Sequence, residues 1–281
     1  MSAAVNSRSA VALALPTLPG VLLVPLTLGA GVLGGAVWGG IAGVLKARFG
    51  VNEILSTVML NAIALQLMNY LLRGPMLDPA QIAAGTNIAQ SATLPAQVWL
   101  FRLVPRTLLH VGLILAVILA LLVFIFLWRT TIGFRIRAVG LNPSAARYAG
   151  IPVRRYMALA LILSGAFAGL AGAVEVTGVH HRMIEGLSGG YGFSGIVAAL
   201  VGKLHPLGAI PASIIVGGLL VGAGFFVLSM TTNYWMWVLG FGVLVGMGLG
   251  FGYSSATPPA LKWFPPAKTG LIAGIVVSGF G

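Results

Sequence analysis

Residues 28–45 read LGAGVLGGAVWGGIAGVL. Within this apolar run Gly31, Gly35, Gly39 and Gly43 recur every four residues, which on a helix stacks them into one smooth strip where another backbone can approach. The same spacing returns at Gly165 and Gly169, continuing to Ala173, and at Gly242, Gly246 and Gly250. Strips of this kind on several apolar runs predict a bundle of membrane helices. Generic packing explains them, so they point to no particular function.

The rest of the chain agrees. Of 281 residues, 58% are hydrophobic and only 7% charged, and the mean hydropathy is +1.02, far more apolar than one soluble core of this size requires. A spanning helix needs about 20 predominantly apolar residues, and runs of that kind cover 21–45, 54–72, 107–128, 156–178, 208–229 and 234–252, with a seventh starting near residue 270. Between the fourth and fifth lies GYGFSGIVAALVGKLHP, residues 190–206. Its apolar centre of about 11 residues makes about 16 Å of helix, too short to cross. The expected fold is all-α: a polytopic transmembrane bundle of about six or seven spans, with a short re-entrant or broken helix and a short cytoplasmic helix. After Arg8 the first apolar run is interrupted by Pro16, Pro19 and Pro25 and then continues, which disfavours a cleaved signal peptide.

Lys and Arg number 16 against 4 acids, a formal charge of +12. The cations are scattered between apolar runs without a dense patch or interleaved aromatics, which argues against nucleic acid and for positive loops flanking membrane helices. Placing Lys46, Arg48, Arg129, Arg135, Arg137, Arg147, Arg154 and Arg155 on one side makes residues 129–155 cytoplasmic and the amide-rich segment 73–106 an external loop. With no Cys, disulfides and thiolate chemistry are excluded. GIVAALVGKL, residues 195–204, has the wrong glycine spacing for a phosphate loop and follows Lys203 with Leu204, so this chain is not expected to hydrolyse ATP.

Several polar residues interrupt the apolar runs. Asn61, Gln66 and Asn69 share an arc of about 140° on one helix; they either line a polar path or hydrogen-bond to a neighbouring helix. Glu175, near the end of a long apolar run, is costly unless it meets water, a cation or a proton. In EVTGVHHRMIEGLSGGYGF, residues 175–193, the adjacent His180 and His181 lack the spacing of a zinc pair, and a solvated loop at the mouth of a pathway fits better. Nothing nearby supplies a nucleophile, so no catalytic or metal site is expected.

The stretch RTTIGFRIRAVGLNPSAARYAGI, residues 129–151, is basic and shaped. Asn142 followed by Pro143 reads as an N-cap with proline at the first helical position, and Gly150 with Ile151-Pro152 as a stop. The enclosed helix is about two turns long, too short to be stable without tertiary support or a partner. Ala145, Ala146 and Ala149 leave its backbone accessible, while Arg147 and Tyr148 offer a charge and a broad anchor.

Three stretches together carry a family resemblance. GFRIRAVGLNPSAARYAGI (133–151), LKARFGVNEILSTVMLNAIALQLMNYLLRGPM (45–76) and IEGLSGGYGFSGIVAALVGKLHPLGAIPASIIVGGLLVGA (184–223) resemble ABC importer permeases of the branched-chain amino acid, ribose and nucleoside group, most of all the nucleoside-type members. The resemblance covers residues 29–229, after an atypical segment 1–28. It implies a multi-pass subunit of a bacterial or archaeal plasma (inner) membrane. Its partners would be a second permease subunit, a cytoplasmic ABC ATPase that binds the ATP, and an extracytoplasmic solute-binding protein. Gly140, Asn142, Ala145, Ala146, Arg147, Tyr148 and Gly150 would couple to the ATPase, and no cofactor is expected in this chain itself. Asn61, Gln66, Asn69, Glu175 and Phe193 are the candidate pathway residues, Phe193 because the resemblance puts its short helix beside the path. Residues 233–281 resemble instead oxalate/formate antiporters of the major facilitator superfamily, with Lys262 and Lys268 as loop cations. That leaves an anion exchanger, or a hybrid chain without transport activity, as alternative readings.

Overall fold

The computed structural model describes residues 20–83, 85–86, 88–104, 108–187, 191–215, 221–230 and 233–238. Pro16 and Pro19, the Gly242 to Gly250 strip, most of the 234–252 run, Lys262, Lys268 and the run from residue 270 lie outside the described residues, whereas Pro25, expected to interrupt the first run, lies inside a continuous helix. Regular structure among the described residues is helical, with isolated bridges at Gln90–Ile184 and Arg102–His110.

Two units divide the chain. The first takes in the described residues up to Ala116 and again from Leu127 to Leu187. Its long helices are α1 (Gly20–Phe49) and α2 (Glu53–Arg73). After the short α3 (Pro79–Ala83) the chain enters α4 (Gly112–Arg129), then α5 (Thr131–Leu141), α6 (Pro143–Tyr148) and α7 (Val153–Glu175). A π-turn, Val176–His180, extends α7. Among the described residues four helical segments are each long and apolar enough to cross a membrane: Leu22–Phe49, Glu53–Arg73, Gly112–Arg129 and Val153–His180. They correspond to the first four runs expected from sequence, and the chain is a multi-pass helical membrane protein.

The glycine strips of α1 and α7 mesh. A Cβ built on Gly35 would overlap the Gly165 carbonyl oxygen, and one on Gly165 would overlap that of Gly35. On Gly39 it would lie 2.5 Å from the Leu161 oxygen, on Gly43 3.0 Å from the Ala158 oxygen, and on Gly31 2.8 Å from the Ala173 Cβ. The order of these contacts makes the pair antiparallel, with backbone touching backbone over four turns. Between hydrocarbon-coated helices there is no hydrophobic drive to associate, so this close fit supplies the dispersion that holds them.

Each end of the unit is closed differently. At one end Lys46 pairs with Glu53 across the α1–α2 turn. At the other, Leu23, Met68, Leu72, Leu94, Val98, Val176, Met183 and Leu187 form a buried cluster. Here the segment 73–106, expected to be an external loop, forms a hydrogen-bonded strap. Ser91 N–H donates to Met183 O (2.9 Å), Leu94 N–H to His181 O (2.8 Å) and Leu100 N–H to Thr177 O (3.1 Å). Residues 176–187, expected to be a solvated loop, are the other half of this pairing, and Val176, Thr177 and Met183 are fully buried. Backbone groups at the edge of an apolar bundle must find partners, and each segment supplies them to the other.

The second unit comprises residues 117–126 with the described residues from Tyr191 onward. It contains α8 (Tyr191–Val201), α9 (Pro206–Ser213), α10 (Val221–Ser229) and α11 (Tyr234–Trp237). α8 is the short helix expected from sequence. The run 208–229 is not one described helix: its first part belongs to α9, which bends by 115° from α8. The turn places Lys203 (φ 54°) and Leu204 (φ 56°) in the left-handed region, a cost of about 1–3 kcal/mol each, offset by Leu204 N–H donating to Ala199 O at 2.7 Å. Gly202 permits it, since a Cβ there would lie 2.6 Å from the Gly208 carbonyl carbon.

The meshed strips yield a stability prediction. Gly35→Ala or Gly165→Ala forces α1 from α7 and should cost about 1–3 kcal/mol, read as an earlier midpoint when the protein is unfolded from mild micelles with dodecyl sulfate. Gly29→Ala, which meets nothing within 4 Å, should leave the midpoint unchanged. Equal losses in all three variants would contradict the packing.

Candidate functional site

The basic stretch folds as α5, a one-residue link and α6. Thr130 caps α5, its Oγ1 accepting from Gly133 N–H at 3.1 Å. Asn142 then ends α5 and begins α6, its Oδ1 accepting from both Ser144 N–H and Ala145 N–H at 3.0 Å. At the far end Gly150 takes φ +77°. Its N–H donates to Arg147 O and that of Ile151 to Ala146 O, both at 3.0 Å, the paired bonds of a Schellman cap. Both caps expected from sequence are therefore formed.

Two of the arginines do more than mark a side. Arg135 Nη1 donates to the Tyr156 hydroxyl at 2.9 Å, tying α5 to α7. Arg137 Nε donates to Leu127 O at 3.0 Å while its guanidinium stands 4.8 Å from the Trp128 ring centre. Ala146 packs in a buried cluster with Val139 and Val153 and faces inward, unlike the accessible surface expected of it. Gly140, Asn142, Ala145, Arg147 and Gly150 are exposed, and Tyr148 is 95% exposed. Leu141, 87% exposed on the same knob, escaped the sequence reading; its one signal is an apolar residue directly before a cap. The result is a rigid protrusion that presents a tyrosine and a leucine to its surroundings.

The expected pathway residues do not gather at one place. Asn61 is exposed and lines a cavity of about 220 Å³ among α1, α2 and α7, with Trp38, Thr57 and Ser164. Gln66 is exposed elsewhere on α2. Asn69 is half-buried, and its Oδ1 is buried without a hydrogen-bond partner. Glu175, the last residue of α7, has its Oε1 3.4 Å from His180 Nε2. Phe193 lies on α8, its side chain outside the described residues.

The adjacent histidines take different directions, as the sequence reading expected. His181 adopts φ 54° and stacks on Trp99 with ring centres 4.1 Å apart, while Trp99 Nε1 donates to Leu94 O at 3.0 Å. Both ring nitrogens of His181 are buried without hydrogen-bond partners. Burial holds its pKa below the usual 6.5, as does repulsion from Arg102, His110 and His180; the nearby Thr177 carbonyl opposes this without reaching hydrogen-bonding geometry. No local pattern signals the Trp99 partner, 82 residues away.

Apolar spans, a meshed helix pair and a capped protrusion at one end define a multi-pass membrane protein built like a transport subunit. The chain belongs to the family described as the branched-chain amino acid transport system permease component, whose profile matches residues 2–247. That match extends past residues 29–229 at both ends, and the antiporter resemblance of residues 233–281 finds no support in it. The guanosine ABC transporter permease protein NupP of Bacillus subtilis is 39% identical over 206 residues, covering 73% of this chain and 58% of that protein. The nucleoside ABC transporter permease protein NupB of Lactococcus lactis is 34% identical over 218 residues, 75% of this chain and 59% of that protein. A glucose ABC transporter permease protein, TsgB13 of Haloferax volcanii, is 36% identical over 195 residues, 66% of this chain and 50% of that protein. The chain thus spans between half and three fifths of the length of these relatives. No solved structure matches it significantly.

The buried His181 sets a pH dependence. Because its folded pKa is lowered, its contribution to stability is complete above about pH 6.5 and is lost as pH falls from 6.5 toward the folded value, where the unfolded chain takes up the proton first. The thermal midpoint should fall between pH 8 and pH 5 more steeply for the unaltered protein than for His181→Phe, which keeps the stack on Trp99. Parallel pH profiles would contradict this.

Proposed function

We propose that this chain is a membrane-spanning permease subunit of an ATP-driven importer for nucleosides or related small polar solutes. The observation that carries the reading is the α6 knob: two turns of helix capped at both ends, seated through Ala146 and presenting Tyr148 and Leu141. An exposed aromatic and an exposed aliphatic side chain on a rigid support are what a docking partner buries. The family and the guanosine and nucleoside permeases among its relatives support the partner's nature and the solute class.

In this reading the end bearing Lys46, Arg48 and the arginines of residues 129–155 faces the cytoplasm, following the positive-inside rule. A cytoplasmic ABC ATPase binds ATP and grips the knob at Asn142, Ala145, Arg147 and Tyr148. Gly140 leaves room beside it, while Ala146 and Gly150 hold the knob's seat and shape. Closure of the ATPase pushes α6, and the push passes through Arg135–Tyr156 and the Val139–Ala146–Val153 cluster into α7, alternating access to the path. A second permease subunit completes the path, and an extracytoplasmic solute-binding protein delivers solute at the Trp99–His181 end. Asn61, Gln66, Asn69, Glu175 and Phe193 are the proposed pathway side.

Tyr148→Asp places a charge in the docked interface and should weaken ATPase binding by at least about 2 kcal/mol, or about thirtyfold. Co-expression with the ATPase and the companion subunits, followed by guanosine uptake with and without ATP, checks this. Uptake should fall to the ATP-free level although the variant inserts normally. Uptake equal to that of the unaltered protein would remove the knob from the coupling role. Asn142→Ala, losing one cap worth about 1 kcal/mol, should weaken uptake only partly.

A further inference from the structure

The cavity that Asn61 lines lies half-way across the bundle. Gly35 and Trp38 sit near the middle of Leu22–Phe49, Asn61 near the middle of Glu53–Arg73, and Ser164 and Gly165 near the middle of Val153–His180. At that depth no headgroup or bulk water competes for polar groups, and an amide side chain costs free energy unless something polar meets it. Asn61 has no interhelical partner among the described residues: it is exposed and lines the cavity, whereas Met68 and Leu72 further along α2 are buried.

The walls limit what can fill the gap. Gly35, Gly39 and Gly165 contribute backbone alone to the wall, their side-chain positions being taken up by the α1–α7 contact, and Trp38 lines the cavity beside them. The Trp38 Nε1 is buried with no hydrogen-bond partner, so packing alone holds the ring. The polar side chains on the wall are few: Asn61, Thr57 and Ser164 beside Trp38. Thr57 already donates to Glu53 O at 2.7 Å, leaving its hydroxyl oxygen as an acceptor. A backbone wall without side chains, one aromatic residue and one amide suit a planar heteroaromatic ring, which stacks on one face and exchanges donor and acceptor bonds at its edge. They suit a free sugar poorly, because its many hydroxyls would stay unpaired against the apolar remainder. At about 220 Å³ the space is below the ~300–1,000 Å³ of drug-sized sites, enough for one fused ring system.

We infer that this mid-membrane pocket holds the base of a transported nucleoside, with Trp38 stacking on the ring and the Asn61 amide reading its edge. The inference rests on the proposed function for the solute class but makes a separate claim about where the solute binds. The ribose lies outside the backbone-walled part of the pocket, so free base and nucleoside compete for one site.

The test is equilibrium binding of radiolabelled guanosine to the full chain in lipid nanodiscs, without ATPase or ATP. Saturable binding is expected, displaced by guanine and not by ribose or glucose. Asn61→Ala and Trp38→Leu should each weaken it at least tenfold, while Ile63→Ala, on α2 but outside the pocket lining, leaves it unchanged; unaltered circular dichroism of each variant excludes misfolding as the cause. Absence of saturable binding, displacement by ribose or glucose as effective as by guanine, or unchanged affinity in both pocket variants would overturn the inference. Should either variant misfold, competition on the unaltered protein still decides. The two proposals fail separately: ATP-dependent guanosine uptake with an unchanged KM in Asn61→Ala sinks the pocket and leaves the permease, whereas pocket-dependent binding without any ATP-dependent uptake does the reverse.

Discussion

Backbone contact between α1 and α7 is the constraint on which the rest of the first unit depends. In a bilayer two apolar helices gain nothing by leaving lipid for each other except through fit, and here fit means glycine against carbonyl oxygen at Gly35–Gly165, Gly39–Leu161 and Gly43–Ala158. Larger side chains at those positions would hold the axes apart. Close contact over four turns also makes the pair stiff, because an interface built of main chain has no rotamers to rearrange. A stiff pair running the depth of the membrane can carry a displacement from one end to the other.

Both ends of that pair are finished with specific structure. At one end α6 is seated on α7 through Ala146 and Val153, and α5 is tied to it by Arg135 and Tyr156. At the other, the π-turn of Val176–His180 leads into the segment that pairs with residues 88–104 and buries Met183 and Leu94. In the proposed mechanism a push on the knob enters the same helices that carry the hydrogen-bonded strap at the far end, and the cavity beside Trp38 lies between the two. The left-handed conformation of His181, stacked on Trp99, falls where the π-turn at the end of α7 meets the strap.

Much of this was legible in the residues. The four-residue glycine period fixed which faces of α1 and α7 would touch, and Asn142-Pro143 with Gly150-Ile151-Pro152 fixed both ends of α6, because caps are local chemistry. Other features had no local signature. Ala145, Ala146 and Ala149 are the same residue type, and only the roll of α6 against Val139 and Val153 decides that Ala146 faces inward. The strap pairs residues such as Ser91 and Met183, 92 apart in sequence, and such pairing leaves no periodic trace. The 115° bend between α8 and α9 runs through Lys203 and Leu204, whose side chains do not advertise left-handed backbone. The polar arc of Asn61, Gln66 and Asn69 was correctly seen as one side of a helix, yet those three residues meet three different environments.

The central claim is that the α6 knob is the place where an ATP-driven partner takes hold. The chain contains no cysteine, so a single Tyr148→Cys substitution provides an unambiguous probe. In native membranes holding the cognate ATPase, a short thiol cross-linker on the new side chain should join the two chains, with a yield that changes between nucleotide-free and ATP-bound states. Labelling of the Tyr148→Cys variant by an impermeant thiol reagent from the external side of sealed vesicles, or no cross-link to the ATPase in either state, would contradict the account.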